Sequence, residues 1–253
     1  MEAYTSFSEM YDTFMDDIPY EEWCAFIKAL LVKYNITAGT LLELGCGTGN
    51  MTELLAAGGY NLIALDYSAE MLAEAMDKKL ESGSRILYLQ QDMREFELNG
   101  NVSAVVSVCD AVNYITESAQ LEQVFERVYQ YLDDGGIFIF DFNTSYKYRE
   151  ILGEQTIAEN RDKGSFIWEN YYDEAVKINE YELTLFIKEE GEMYRRHREI
   201  HYQRAYELEE IIELAESAGL KFVRAYDDYT TAAADEKSER ICAVVQKGVQ
   251  ENE

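Results

Sequence analysis

The sequence predicts an α/β fold, a doubly wound parallel sheet of seven strands carrying a small antiparallel β insertion. Three observations lead there. Short continuous apolar runs ("TLLELG", "NLIALDYS", "RILYLQQD", "VSAVVSVCD", "GGIFIFDFN") alternate with helical patterns. That alternation marks parallel strands buried on both faces. Residues 165–204 break the rhythm with "SFIWENYYDE", "VKINEYELTLFIK" and "EMYRRHREIHYQR", aromatic-rich stretches separated by tight turns. These read as three antiparallel strands. The earlier rhythm then resumes in "AYELEEIIELAESAG", "LKFVRAY" and "RICAVVQK", so the antiparallel piece interrupts one domain spanning 1–253.

Each element has its own local reason. Residues 1–35 form an N-terminal helical cap. Its segment "PYEEWCAFIKALLVKY" opens with Pro and acids and spaces Trp23, Phe26, Ile27, Leu30, Leu31 and Tyr34 at helical intervals. "MTELLAAGG" is a short helix stopped by glycine. "AEMLAEAMDKKLES" is a helix whose N-cap is Ser68. "QLEQVFERVYQYL" supplies the helix before the fifth strand, and the tail "GVQENE" is expected to fray.

Composition excludes several classes. No run of ~18 apolar residues exists, so no transmembrane helix is expected. The acidic start lacks the basic and apolar regions of a signal peptide. Cys24, Cys46, Cys109 and Cys242 lie far apart, without a CxxC pair or a nearby histidine. They read as reduced thiols of a cytoplasmic protein, with no metal site. Lys plus Arg number 22 against 49 Asp plus Glu, a net charge of −27. Such a field repels phosphate backbones and argues against nucleic acid. It suits either attraction of a cationic substrate or plain solubility.

The stretch "TLLELGCGTGN" carries the sharpest functional signal. Its glycines, Gly45, Gly47 and Gly49, follow the first strand, where open parallel sheets bind ligands. Glycine there lets a ligand lie against bare backbone. The loop lacks the spacing and Lys of a P-loop, and Asn50 stands where a dinucleotide fingerprint has its third glycine. Glu43 would repel a pyrophosphate, and no basic residue in the loop offsets it. A cationic, phosphate-free cofactor such as S-adenosylmethionine suits a carboxylate at this strand end. Asp66 ends the second strand at the distance where an acid accepts hydrogen bonds from ribose hydroxyls.

The ordered series "ELGCGTGN", "ALDYSAEML", "QQDM" and "VCDAVNYI" resembles the motifs of class I S-adenosylmethionine-dependent methyltransferases. The resemblance covers nearly the whole chain. It implies a Rossmann-like sheet whose last strand runs antiparallel. It also implies that Glu43, Gly45, Cys46, Gly47 and Gly49 lie along the methionine part, and that Asp66 is the ribose acid. It puts Tyr67 and Met71 near the adenine, and Asp92 and Met93 at the adenine amine. Cys109 and Asp110 match the fourth-strand end that faces the transferable methyl. The N-terminal segment is similar to one that covers the cofactor, which suggests Tyr11 and Trp23 as contacts; ordinary helix packing is the other reading. The insertion is similar to that of stand-alone bacterial small-molecule methyltransferases, some of which act on glycine or sugar amines.

Methyl transfer from a sulfonium needs mainly positioning and desolvation, and a base only where the nucleophile arrives protonated. The catalytic residue is therefore not fixed by the fold. His197 and His201 share one face of the insertion's third strand; they read either as a base in a lid or as a solvated strand face. Asn113 and Tyr114 are expected to point toward the cleft. Phe166, Trp168, Tyr171, Tyr172 and Tyr181 would line a pocket for a cationic amine or form the insertion's own core. The expected activity is methylation of a small-molecule acceptor, most directly a cationic amine, by a monomer or homodimer. The alternatives are a cofactor-binding sensor without turnover and an NAD-dependent oxidoreductase.

Overall fold

A computed structural model describes residues 8–249. The start of the 1–35 cap and the end of the tail lie outside the described residues. Helices α1 (Ser8–Phe14) and α2 (Tyr20–Lys33) precede β1 (Thr40–Leu44). There follow α3 (Asn50–Ala57), β2 (Asn61–Asp66), α4 (Ala69–Ser82), β3 (Leu87–Gln90), β4 (Val102–Ser107), α5 (Ser118–Tyr131) and β5 (Leu132–Asn143). After the insertion come α6 (Leu208–Ser217), β10 (Leu220–Asp227) and β11 (Arg240–Lys247). The Ser68 hydroxyl accepts the Met71 amide, capping α4 as its sequence predicts.

The main sheet has seven strands in the order β10-β11-β5-β4-β1-β2-β3. Its pairs are parallel except the two made by β11. Alternation within the central strands assigns each side chain a face. In β5, Phe138, Phe140 and Phe142 pack with Leu121, Val124 and Phe125 of α5 and Ile211 of α6. Ile137 and Ile139 pack on the opposite side with Ile27 and Leu31 of α2 and Leu55 of α3. Both faces are thereby dry, which explains why these strands read as unbroken apolar runs. No described helix is long and apolar enough to cross a membrane.

The insertion differs from the sequence expectation. It is a sheet of four antiparallel strands, not three: β6 (Thr156–Arg161), β7 (Gly164–Asp173), β8 (Ile178–Lys188) and β9 (Tyr194–Arg204), in that order. The missed strand, "TIAENR", is a sheet edge with no residue fully buried, so it shows neither an apolar face nor aromatic enrichment. Helix α1 docks on this sheet. Met10 and Phe14 join Phe166, Tyr181, Leu183 and Leu185 in one apolar cluster, with Phe14 edge-on to Phe166 at 5.0 Å.

Asn113 fastens the insertion to the main sheet. Its side chain donates to the carbonyls of Asn143 at 3.0 Å and Arg204 at 2.7 Å and accepts the Asn143 amide at 2.9 Å. Fully buried between the ends of β5 and β9, Asn113 does not face the cleft as expected; its amide is consumed by backbone.

Candidate active site

A cavity of about 260 Å³ opens beyond the carboxyl ends of β4, β1, β2 and β3. This is the switch point of the sheet, where β1 pairs with β2 on one side and β4 on the other. The glycine loop forms its floor. Gly45, Gly47 and Gly49 all take positive φ, at 69°, 53° and 80°. A Cβ on Gly45 would meet the Ala111 Cβ at 2.7 Å, and one on Gly49 would meet the Tyr88 hydroxyl at 2.5 Å. At Gly47 nothing lies within 4 Å, and this glycine borders the cavity. Two of the glycines thus serve packing and the middle one leaves room.

Two carboxylates line the β1–β2 part. Asp66 accepts the amides of Gly47 and Ser68, each at 2.8 Å, which fixes its orientation. Burial raises its carboxyl above the usual range, with those amides acting against the shift. Glu43 is 1% exposed and accepts the Thr52 hydroxyl at 2.6 Å. Burial pushes its carboxyl up to about 8, against the pull of the Thr52 bond. The sequence suggested an ionised group at the strand end. The structure instead buries it, so that near neutral pH a neighbouring cation would favour its charged form.

Past β3, Asp92 accepts the Arg94 amide at 2.9 Å and its Nε at 2.8 Å. Burial raises the Asp92 carboxyl, but Arg94 outweighs it and leaves the group below its ordinary range. Arg94 is the one basic residue of the described lining, and Asp92 neutralises it. On the β4 side stand Cys109, Ala111, Tyr114 and Ile115, with Tyr20 from α2 and Tyr11 from α1. The Cys109 thiol is 3.6 Å from the Tyr20 hydroxyl.

The cavity therefore offers bare backbone, three carboxyl groups, one of them paired with Arg94, and no unpaired cation among its described lining. That donor set fits a cationic cofactor without phosphates. Comparisons agree. Residues 41–136 match the family model described as a methyltransferase domain. A crystal structure of an S-adenosylmethionine-dependent methyltransferase from Clostridium acetobutylicum matches with a TM-score of 0.87 at 32% identity, covering 98% of this chain and 100% of that one. A Geobacillus sp. protein bearing a methyltransferase name is 33% identical over 97% of this chain and 100% of its own.

The chain belongs to the S-adenosylmethionine-dependent methyltransferases. A third relative is the dTDP-3-amino-3,6-dideoxy-alpha-D-glucopyranose N,N-dimethyltransferase of Streptomyces fradiae, 28% identical over 48% of this chain and 46% of its own.

Against this cavity of the methyltransferase, the sequence-predicted residues divide. Tyr11, Glu43, Gly45, Cys46, Gly47, Asp66, Tyr67, Met71, Asp92, Met93, Cys109 and Tyr114 all border it. Trp23 does not. Its ring stacks on Tyr229 at 4.4 Å with the Arg240 guanidinium 5.1 Å from its centroid, so it serves the cap's packing. Asp110 also turns away from the lining, taking Gln203 Nε2 at 2.6 Å and Arg240 Nη2 at 3.1 Å. Gly49 is packed beneath the loop. His197 lies outside the lining, half-buried across from Leu185. His201 is fully buried behind Tyr114, its Nδ1 3.4 Å from that hydroxyl.

Several site residues escaped the sequence. Thr48, Asn50 and Gln91 lie within the motif series but were given no role, and Tyr20 and Arg94 lie outside it; all five border the cavity. Buried Asp141 was also missed. It accepts the amides of Cys109 and Asp110 at 3.1 and 2.8 Å and holds both residues at positive φ. An acid inside the run "GGIFIFDFN" is the signal that was available, since an isolated buried carboxylate needs partners.

Proposed function

We propose that this methyltransferase acts on a small-molecule amine. In this reading S-adenosylmethionine supplies a methyl group on a good leaving group, and the chain supplies position and exclusion of water. Asp66 accepts the ribose hydroxyls. Asp92 and Met93 meet the adenine amine, and Tyr67 and Met71 lie along the ring. Glu43 and the glycine loop hold the methionine portion, with its ammonium and sulfonium charge. Cys109, Tyr114, Tyr20 and Tyr11 surround the methyl end.

The observation that carries the amine reading is this last wall. It combines aromatic rings and hydroxyl groups with no free cation among the described residues, and it is roofed by Tyr11 of α1, a helix that docks on the insertion sheet. Ring faces and hydroxyl oxygens attract an ammonium group, and a roofed cavity admits a metabolite more readily than a protein or RNA. The Streptomyces fradiae relative, named as an amino-sugar N,N-dimethyltransferase, points the same way.

Incubation with methyl-labelled cofactor and a panel of amines, alcohols and carboxylates tests this. Label is expected in one or more amines. Turnover confined to hydroxyl or carboxyl acceptors, or to protein, overturns it. Cofactor binding with no turnover on any acceptor favours a sensor. Asp66→Ala serves as the control and is expected to weaken S-adenosylhomocysteine binding by roughly 1–3 kcal/mol.

A further inference from the structure

We propose that Tyr114, His201 and Glu199 form a proton path from the methyl end of the cavity into the insertion sheet, with His201 as the proton acceptor. The proposal rests on the amine reading, because an amine arrives as an ammonium ion and must lose a proton before its lone pair can attack.

The path is laid out by three elements. Tyr114, in the 3₁₀ turn after β4, borders the cavity. Its hydroxyl bonds that of Tyr181 and lies 3.4 Å from His201 Nδ1. The His201 ring stacks on Tyr181, its register partner across β8 and β9, at 4.6 Å and 9° between planes. On its far side, Nε2 stands 3.3 Å from Oε2 of Glu199. His201 is 1% exposed and Glu199 is 3% exposed. The titratable groups set against His201 by the described elements are thus Glu199 on its own strand, Tyr181 on β8 and Tyr114.

Burial makes this arrangement informative. A carboxylate and an imidazole taken out of water together carry a desolvation penalty that well-packed apolar side chains of similar size avoid. Leu183 and Leu185, on the same face of β8, show that apolar packing is available there. The polar pair is moreover not sealed off, since it reaches the cavity through one phenol. His197, on the same strand face, lies outside the cavity lining and outside these contacts.

The proton balance is simple. The acceptor ammonium gives a proton to the Tyr114 oxygen as Tyr114 passes its own to His201 Nδ1, forming an imidazolium beside Glu199. The freed nitrogen lone pair bonds the methyl carbon, and the pair of the broken carbon–sulfur bond stays on sulfur. The product leaves as a methylated ammonium ion, and His201 returns its proton to solvent.

The test begins with nitrogen NMR of the imidazoles in the full chain bound to S-adenosylhomocysteine. Two histidines make assignment simple, with a His197→Gln variant identifying the other. A neutral ring protonated on Nε2 is expected, with a Nδ1 resonance that moves in Tyr114→Phe. A ring protonated on Nδ1, or one indifferent to Tyr114→Phe, overturns the path. With an amine acceptor from the panel, His201→Gln is expected to lower kcat about 100-fold while S-adenosylhomocysteine affinity stays within about twofold. Glu199→Gln is expected to move the Nε2 resonance of the same ring and to lower kcat, with S-adenosylhomocysteine affinity again within about twofold. An Nε2 resonance and a kcat that both stay unchanged also overturn it. If no amine turns over, the amine reading falls and the proton path falls with it; if amines turn over and His201→Gln keeps its kcat, the path alone falls.

Discussion

The Asp12 carboxylate on α1 accepts a hydrogen bond from the Thr48 hydroxyl of the glycine loop at 2.7 Å. It also takes Asn50 Nδ2 at 2.9 Å and Lys78 Nζ at 2.5 Å. Burial raises the Asp12 carboxyl, but Lys78, Thr48 and Asn50 together hold it below its ordinary range. Since Phe14 of α1 packs on Phe166, one short helix bridges the cofactor loop and the insertion sheet. Asp12→Ala is expected to weaken S-adenosylhomocysteine binding about fivefold, the loss of roughly 1 kcal/mol for half-exposed charged hydrogen bonds. Amide exchange over residues 8–14 should quicken in parallel. Unchanged affinity and exchange would show that α1 is held by its apolar side alone.

Glu43 makes cofactor binding depend on pH. Its carboxyl is raised from 4.5 to about 8 in the folded chain by burial, so between those values folding takes up a proton. The ligand-free protein therefore loses stability as pH rises through that window, by at most about 1.4 kcal/mol per pH unit. A bound cation favours the ionised form, so S-adenosylmethionine affinity is expected to rise with pH and level off above about 8. Glu43→Gln keeps an acceptor for Thr52 and should flatten both curves. Melting scans and titrations across this range check it, and a slope that survives the substitution would place its origin elsewhere.

How much of this was legible depends on whether a residue's role is local. The strands and α4 follow from periodicity and one cap, both encoded within a few neighbouring residues. Asp66 follows from its place at a strand end, and Asp92 from the resemblance of "QQDM" to the family motif. Trp23, Asp110 and Asn113 misled because their partners are remote in sequence: Tyr229 and Arg240 follow the insertion, and Arg204 is its last residue. Asp12 and Tyr20 have no individual signal within the N-terminal segment; only the docking of the cap brings Tyr20 to the cavity and Asp12 to Thr48 and Asn50 of the glycine loop. β6 was silent because an edge strand without a buried face leaves no alternation to read.

Gly45 and Gly47 differ in what a methyl group would do. Gly45→Ala drives a Cβ into Ala111 and Met93 at a φ of 69°, and is expected to destabilise the fold by roughly 2–4 kcal/mol. Gly47→Ala meets nothing in the ligand-free chain and carries only its left-handed backbone, a cost of roughly 1–2 kcal/mol. Its methyl would border the space that the cofactor needs. Gly47→Ala should therefore lose more in S-adenosylhomocysteine affinity than in stability, whereas Gly45→Ala loses stability first. Paired melting and titration measurements separate the two; equal losses in both variants would refute the division.

Arg240 anchors the strained turn beyond β4. Its guanidinium meets Asp141, which is 0% exposed, and Nη2 reaches Asp110 at 3.1 Å. Asp141 also takes the Tyr229 hydroxyl at 2.9 Å and the two amides that keep Cys109 and Asp110 in left-handed conformation. Arg240→Met leaves that carboxylate buried without its countercharge and is expected to cost about 3–5 kcal/mol. Pairing Arg240→Met with Asp141→Leu removes the uncompensated charge but also releases both amides. The double variant should regain stability yet bind S-adenosylhomocysteine weakly, because Cys109 borders the cavity. Recovery of both properties together would show that the turn keeps its shape without Asp141, and that the ion pair serves stability only.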